Sequence, residues 1–191
     1  MGRPRSFDED TVLERAMDAF WTNGYAATSP ADLAEATGIA KGSLYNAFEG
    51  KQQLFDRCLD VYQQHIEATA MELLAAPGST RDVLRAALLF IVETDLAAPV
   101  RRGCLIGNTA VELAGHDAAL ADRLRRLQSI QNGWFRERIE RGQVEGDVRR
   151  DADAGALADF LSTALAGLRV MAMTQDERTL RRIVDTTLAV I

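Results

Sequence analysis

Lysine is almost missing from this 191-residue chain, and the two that occur, Lys41 and Lys51, flank a single short segment. Cysteine is as scarce. Cys58 and Cys104 are far apart and lack CxxC spacing, which excludes a disulfide framework. His65 and His116 are the only histidines, too few for a convincing metal site, and no metal or other cofactor is expected. Glycine-rich phosphate loops, nucleophile elbows and carboxylate or histidine clusters at catalytic spacing are absent, which argues against an enzyme. No apolar run approaches the roughly 18–20 residues needed to cross a bilayer. The opening MGRPRSFDED lacks an apolar signal segment, so a cytoplasmic protein without a membrane partner is expected.

The residues that are plentiful favour helices. Hydrophobic side chains make up 47% of the chain, alanine and leucine prominent among them, and the four prolines leave long uninterrupted stretches. Apolar residues recur at helical spacing along most of the sequence, predicting an all-α protein of about nine helices. The formal charge is −6. Residues 1–52 carry five basic side chains against eight acidic ones, a formal −3 that disfavours nucleic-acid binding unless the cations are well placed. They are: Arg3 and Arg5 form an acid-free arm stiffened by Pro4, and Lys41 and Lys51 bracket residues 41–51. So few cations predict modest nonspecific affinity and a shallow salt dependence.

Residues 28–51, TSPADLAEATGIAKGSLYNAFEGK, hold the densest set of signals. Ser29 is a helix N-cap type, Pro30 stands where a missing N–H does no harm, and Asp32 completes a capping pattern. The short helix that follows buries Leu33 and Ala34 and stops at Gly38, which tolerates the left-handed turn. A second helix, Ala40 to Ala47, starts with Lys41, Gly42 and Ser43 and is anchored by Leu44, Tyr45 and Phe48. Its first turn is slim enough for a DNA major groove. Ahead of both, a helix from about Asp8 to Asn23 offers Val12, Leu13, Ala16, Ala19 and Phe20 as the face on which the pair sits.

Thr28, the Gly38-Ile39 turn, Ser43-Leu44-Tyr45, Phe48, and Lys51 with Leu54 and Phe55 together resemble the helix-turn-helix and linker of TetR-family transcriptional regulators. The resemblance is strong through residue 60 and weaker beyond. It implies an N-terminal three-helix DNA-binding domain, residues 1–50, and a C-terminal helical ligand-binding and dimerisation domain, residues 51–191. It also implies a homodimer on a double-stranded DNA operator, released by an unknown small-molecule inducer. Thr28, Ser29 and Tyr45 are then expected to donate to phosphate, and Lys41, Ser43 and Asn46 to read bases beside Gly42. Arg3 and Arg5 suit a minor groove, and Lys51 a phosphate at the start of the next helix. Because that helix, about Lys51 to Ala75, spans both domains, a movement of its far end would reach its DNA end.

Farther on, Ser79 and Asp82 start a helix whose Leu84–Leu96 run is apolar nearly all round. A loop at 97–103 leads into a short helix, about Cys104 to Ala114. Its Gly-Cys-Leu start, with Asn108 and Glu112, resembles one subgroup of TetR-family C-terminal domains, some members of which respond to electrophiles or oxidants. Cys104 stands near a helix start beside Arg101 and Arg102, where positive potential favours a reactive thiol; a passive pocket wall is the other reading. Tyr62, His65, Phe90, Asn108 and Trp134 join it as ligand-pocket candidates. A long helix, Asp117 to Arg141, turns Leu120, Leu124, Leu127, Ile130, Trp134 and Ile139 inward, and residues 142–150 read as a loop. The last two helices, about Ala152 to Met173 and Asp176 to Ile191, carry Phe160, Leu161, Leu165, Leu168, Leu180, Ile183, Val184 and Leu188. Two such hairpins facing across a two-fold axis would form a four-helix dimer interface. A helical dimer acting purely as a protein–protein adaptor is the competing reading, and it leaves the lysine placement unexplained.

Overall fold

The computed structural model describes residues 7–191, and every regular element among them is helical. Arg3 and Arg5 lie outside the described residues. Nine α-helices are described: α1 (Glu9–Asn23), α2 (Pro30–Thr37), α3 (Lys41–Phe48), α4 (Lys51–Leu74), α5 (Thr80–Ala97), α6 (Leu105–Leu113), α7 (Ala118–Glu145), α8 (Ala154–Met171) and α9 (Glu177–Thr187). A 3-10 turn, Leu188–Val190, follows α9. The chain divides into two compact units, with the boundary inside α4 between His65 and Ile66.

The first unit is organised by caps and one apolar core. Asp8 accepts from the Thr11 amide at 3.2 Å and starts α1; Gly24, at φ 84°, ends it. Val12, Leu13, Ala16, Met17 and Phe20 form the buried face of α1, with Met17 rather than Ala19 completing it. Leu33, Leu44, Phe48, Leu54, Phe55 and Leu59 are buried from the following three helices. Clustering of these side chains is what fixes two eight-residue helices that are too short to persist alone.

The second unit buries Leu84, Leu88, Val92, Phe135, Ile139, Leu161, Leu168, Leu180, Val184 and Leu188 in a shared core. Helix α8 packs against α5, α7 and α9, and α6 against α7. Several sequence expectations change here. Residues Leu161, Leu168, Leu180, Val184 and Leu188, assigned to a dimer face, belong to this core, and Leu165 and Ile183 pack against it. The reason is that α5 and α7 supply the apolar partners that the α8–α9 hairpin needs. Phe160, at 45% exposure, is the assigned residue that stays outside.

Helix α7 also differs. It continues through Gly142 to Glu145 and ends at Gly146, φ 89°, where a loop was expected. Its inner side uses Phe135 and Arg138 in place of Trp134, which is half-buried, and Ile130, which is exposed. Finally, α8 is long and apolar enough to cross a membrane by length and composition, against the expectation that no run approaches that size. Ala158, Leu161 and Leu168 on it are core residues, and the helix carries Asp159 and Arg169.

Candidate nucleic-acid interface

Helix α2 is closed at both ends by short-range hydrogen bonds. Ser29 accepts from the Asp32 amide at 3.2 Å, and the Asp32 carboxylate accepts from the Ser29 amide at 2.7 Å. This reciprocal cap holds the Asp32 carboxyl below its usual value, chiefly through the Ser29 amide and then its hydroxyl. Gly38 adopts φ 71°, ψ 17°, and its N–H donates to the carbonyls of Ala34 and Glu35. Thr37 donates to the Leu33 carbonyl at 2.6 Å. The left-handed Gly38 therefore ends α2 and turns the chain toward α3.

Leu44 and Phe48 pin α3 inward, while Lys41, Gly42, Ser43 and Asn46 are exposed. Ala40 precedes α3 and supplies no side-chain cap. The exposed first turn thus presents backbone donors, a lysine and two small residues together, which is the composition a groove-binding helix needs. A Cβ at Gly42 would meet no atom within 4 Å, so the turn is open.

Two expected phosphate donors sit differently. Thr28 is fully buried, and its hydroxyl donates to the Gly24 carbonyl at 2.5 Å. It fastens the entry to α2 and does not face solvent. Tyr45 is half-buried, its hydroxyl is covered and unpaired, and burial pushes its ionisation up. Lys51, at the first position of α4, is half-buried with Nζ 4.4 Å from the centroid of the Tyr25 ring. Tyr25 went unnoticed in the sequence because a lone aromatic after Gly24 carries no periodic signal.

The effector candidates do not behave as one group. In the first unit, Tyr62 is buried edge-on to Trp21 at 5.0 Å, and His65 is exposed beside Glu14 at 3.4 Å. Cys58 is fully buried, its thiol donates to the Leu13 carbonyl, and desolvation pushes it up far beyond a reactive range. In the second unit, Phe90 is 44% exposed on α5 because Leu88, Leu89 and Val92 take the inward positions. Cys104 is half-buried and is the N-cap of α6 rather than a residue within it. Asn108 donates to the Arg102 carbonyl at 2.7 Å. This segment is clasped to the end of α8: Arg169 pairs with Asp95 at 2.8 Å and donates to the Gly103 carbonyl at 2.8 Å. In return Arg101 donates to the carbonyls of Ala172 and Gln175. Among the described residues, no group of acids, histidines and cysteines is arranged to hold a metal.

A capped helix, a left-handed glycine turn and a second helix with a small, cationic, outward first turn define a helix-turn-helix regulator. The chain belongs to the TetR family of bacterial regulatory proteins: the model of that family matches residues 12–58, and that of the tetracyclin repressor-like C-terminal domain matches residues 90–187. It is 34% identical to the uncharacterized HTH-type transcriptional regulator YezE of Bacillus subtilis, over the full length of both chains. Identity to the HTH-type transcriptional repressor ComR of Escherichia coli is 31%, covering 90% of this chain and 82% of the relative. Among solved structures, a cysteine mutant of the TetR-family regulator CifR, complexed with 26-bp double-strand operator DNA, superposes with a TM-score of 0.89. It is 36% identical, and 98% of each chain is covered.

Proposed function

We propose that this protein is a homodimeric transcriptional repressor acting in the cytoplasm, without enzymatic activity. Its ligand-free form occupies a roughly palindromic operator, and a small-molecule inducer releases it. Residues 1–50 act as the DNA-binding domain and residues 51–191 as the ligand-binding and dimerisation domain. The observation that carries this reading is α3, whose Leu44 and Phe48 are buried while Lys41, Gly42, Ser43 and Asn46 face out. Lys41, Ser43 and Asn46 read bases, while Ser29 and Lys51 contact phosphate. Tyr45 joins them by turning its unpaired hydroxyl outward, which relieves the cost of leaving it buried without a partner. Arg3 and Arg5 lie in the adjacent minor groove.

The effector site is proposed at the start of α6, where Cys104 and Asn108 adjoin the Arg169 clasp. An inducer must favour the released form by about 2–3 kcal/mol or more to matter. The experiment is a gel shift on DNA from the protein's own promoter region and on a random-sequence pool. A discrete complex is expected. Asn46→Ala should relax base preference at one operator position, whereas uniform weakening would make Asn46 a phosphate contact. Release of the wild type but not of Cys104→Ser by a mild electrophile would replace the reversible inducer with covalent switching. Failure to retain any duplex would overturn the reading.

A further inference from the structure

Lys51 stands where a helix does not want it. As the first residue of α4 it adds positive charge to the positive end of the helix dipole, and no acidic residue occupies that first turn. Its side chain is also long and flexible, so holding it in one place has an entropic cost. The compensating contact is the face of Tyr25, with Nζ 4.4 Å from the ring centroid. That ring is itself held. Its centroid is 4.8 Å from that of Phe55 and 5.9 Å from that of Phe20, and those two buried rings meet edge to face at 4.9 Å.

An aromatic face differs from a carboxylate in what it leaves behind. A carboxylate partner would cancel the lysine charge, whereas the ring attracts the ammonium through its quadrupole and leaves the full charge available to an anion. The Lys51 charge also helps hold the Asp32 carboxyl down, but the ring face is the contact that places the ammonium. We propose that Tyr25 is a positioning residue for DNA binding, holding the Lys51 ammonium ready for a backbone phosphate at the start of α4 without touching DNA itself. Ordering of the lysine is then complete before binding, and less freedom is lost when the complex forms. The proposal rests on Lys51 being a phosphate contact, and the test separates the two.

Affinity is measured against salt concentration for a duplex that the wild-type protein itself selects from a random pool. Lys51→Gln should reduce the salt slope by about one unit, the amount expected of one phosphate contact. Tyr25→Leu should reduce it by at least about half as much and weaken binding about two- to five-fold at fixed salt. Tyr25→Phe should restore both values, and Tyr25→Leu should change neither in the Lys51→Gln background. A fluorinated phenylalanine at position 25 keeps the ring shape but removes its negative face. It should act like leucine, and it replaces Tyr25→Leu if that variant fails to fold. An unchanged slope for both leucine and fluorinated variants, with Lys51→Gln lowering it, overturns the role of Tyr25. Equal loss from Tyr25→Leu with and without Lys51 also overturns it, because the effect is then structural. An unchanged slope for Lys51→Gln removes Lys51 from the interface, and the proposal falls with it.

Discussion

At Gly42, the second position of α3, the absence of any atom within 4 Å of a Cβ means that nothing inside the described protein requires glycine. In a helix, glycine is less favourable than alanine, by at most about 0.8–1.0 kcal/mol at a first-turn position such as this. The residue is therefore a cost to the isolated fold, and close approach of another molecule is the simplest compensation. Gly42→Ala should raise the melting temperature while weakening binding to the selected operator. Thermal denaturation and a titration on the same preparation check both halves. An alanine variant that is more stable and binds equally well would show that this position does not approach DNA. Gly38 is a contrasting glycine, fixed by its own backbone at φ 71°, and it was readable from the sequence because helix ends demand that conformation. The Ser29–Asp32 cap and the anchors Leu44 and Phe48 were legible for the same reason: their signals are local.

Among the elements, α7 carries the clearest limit to such reading. Gly142 looks like a stop signal, yet α7 passes through it, and the glycine is needed there because a Cβ would collide with Thr80 Oγ1, Asp147 Oδ1 and Val148 Cγ2. The absent side chain makes room for a tie between distant segments. Asp147 accepts from the Thr80 amide at 2.5 Å and from its hydroxyl at 2.9 Å, giving α5 a second cap from far along the chain. Buried Arg138 donates to the Gly78 carbonyl at 2.9 Å alongside. No local pattern announces contacts between residues 67 positions apart, and it is the Gly78 carbonyl that receives Arg138 while Phe135 joins the apolar core in place of Trp134. Gly142→Ala should accordingly destabilise the protein by about 1–3 kcal/mol, as overpacking does, despite its better helix propensity. Denaturant unfolding measures it. Solvation loss alone would raise the Asp147 carboxyl, but the Thr80 amide and hydroxyl and the Arg138 charge outweigh it and hold it below the usual 3.8. A lowered carboxyl contributes stability above its unfolded value and loses it as pH falls through the folded one. Wild type should therefore exceed Asp147→Asn in stability at neutral pH. Unfolding curves taken at successively lower pH should show the gap closing below about pH 3.8; a gap that persists in acid would mean that Asp147 charge is not what ties the segments.

For the molecule as a whole, the question is which apolar surface remains once each chain has closed its own core. The sequence could not divide it, since α8 is apolar on more than one face and an interior looks like an interface in composition. The structure assigns Leu161, Leu168, Leu180, Val184 and Leu188 to the interior. It leaves Phe160 at 45% and Met171 at 37% exposure, and helical spacing places these on one stripe with Gly167, where a Cβ would meet nothing. That stripe, flanked by Val170 at 60% exposure, is the part of α8 available to a second copy. Phe160→Glu should leave the helical spectrum and unfolding transition nearly unchanged while shifting sedimentation at micromolar concentration from dimer to monomer. Operator affinity should then fall about 100-fold or more, because the second half-site no longer benefits from the effective concentration that dimerisation provides. Leu161→Glu should instead unfold the protein, since it buries a charge with no partner. If Phe160→Glu still sediments as a dimer and binds the operator unaltered, the two copies meet through some other face. The half-site spacing would then have to be explained without α8's outer stripe.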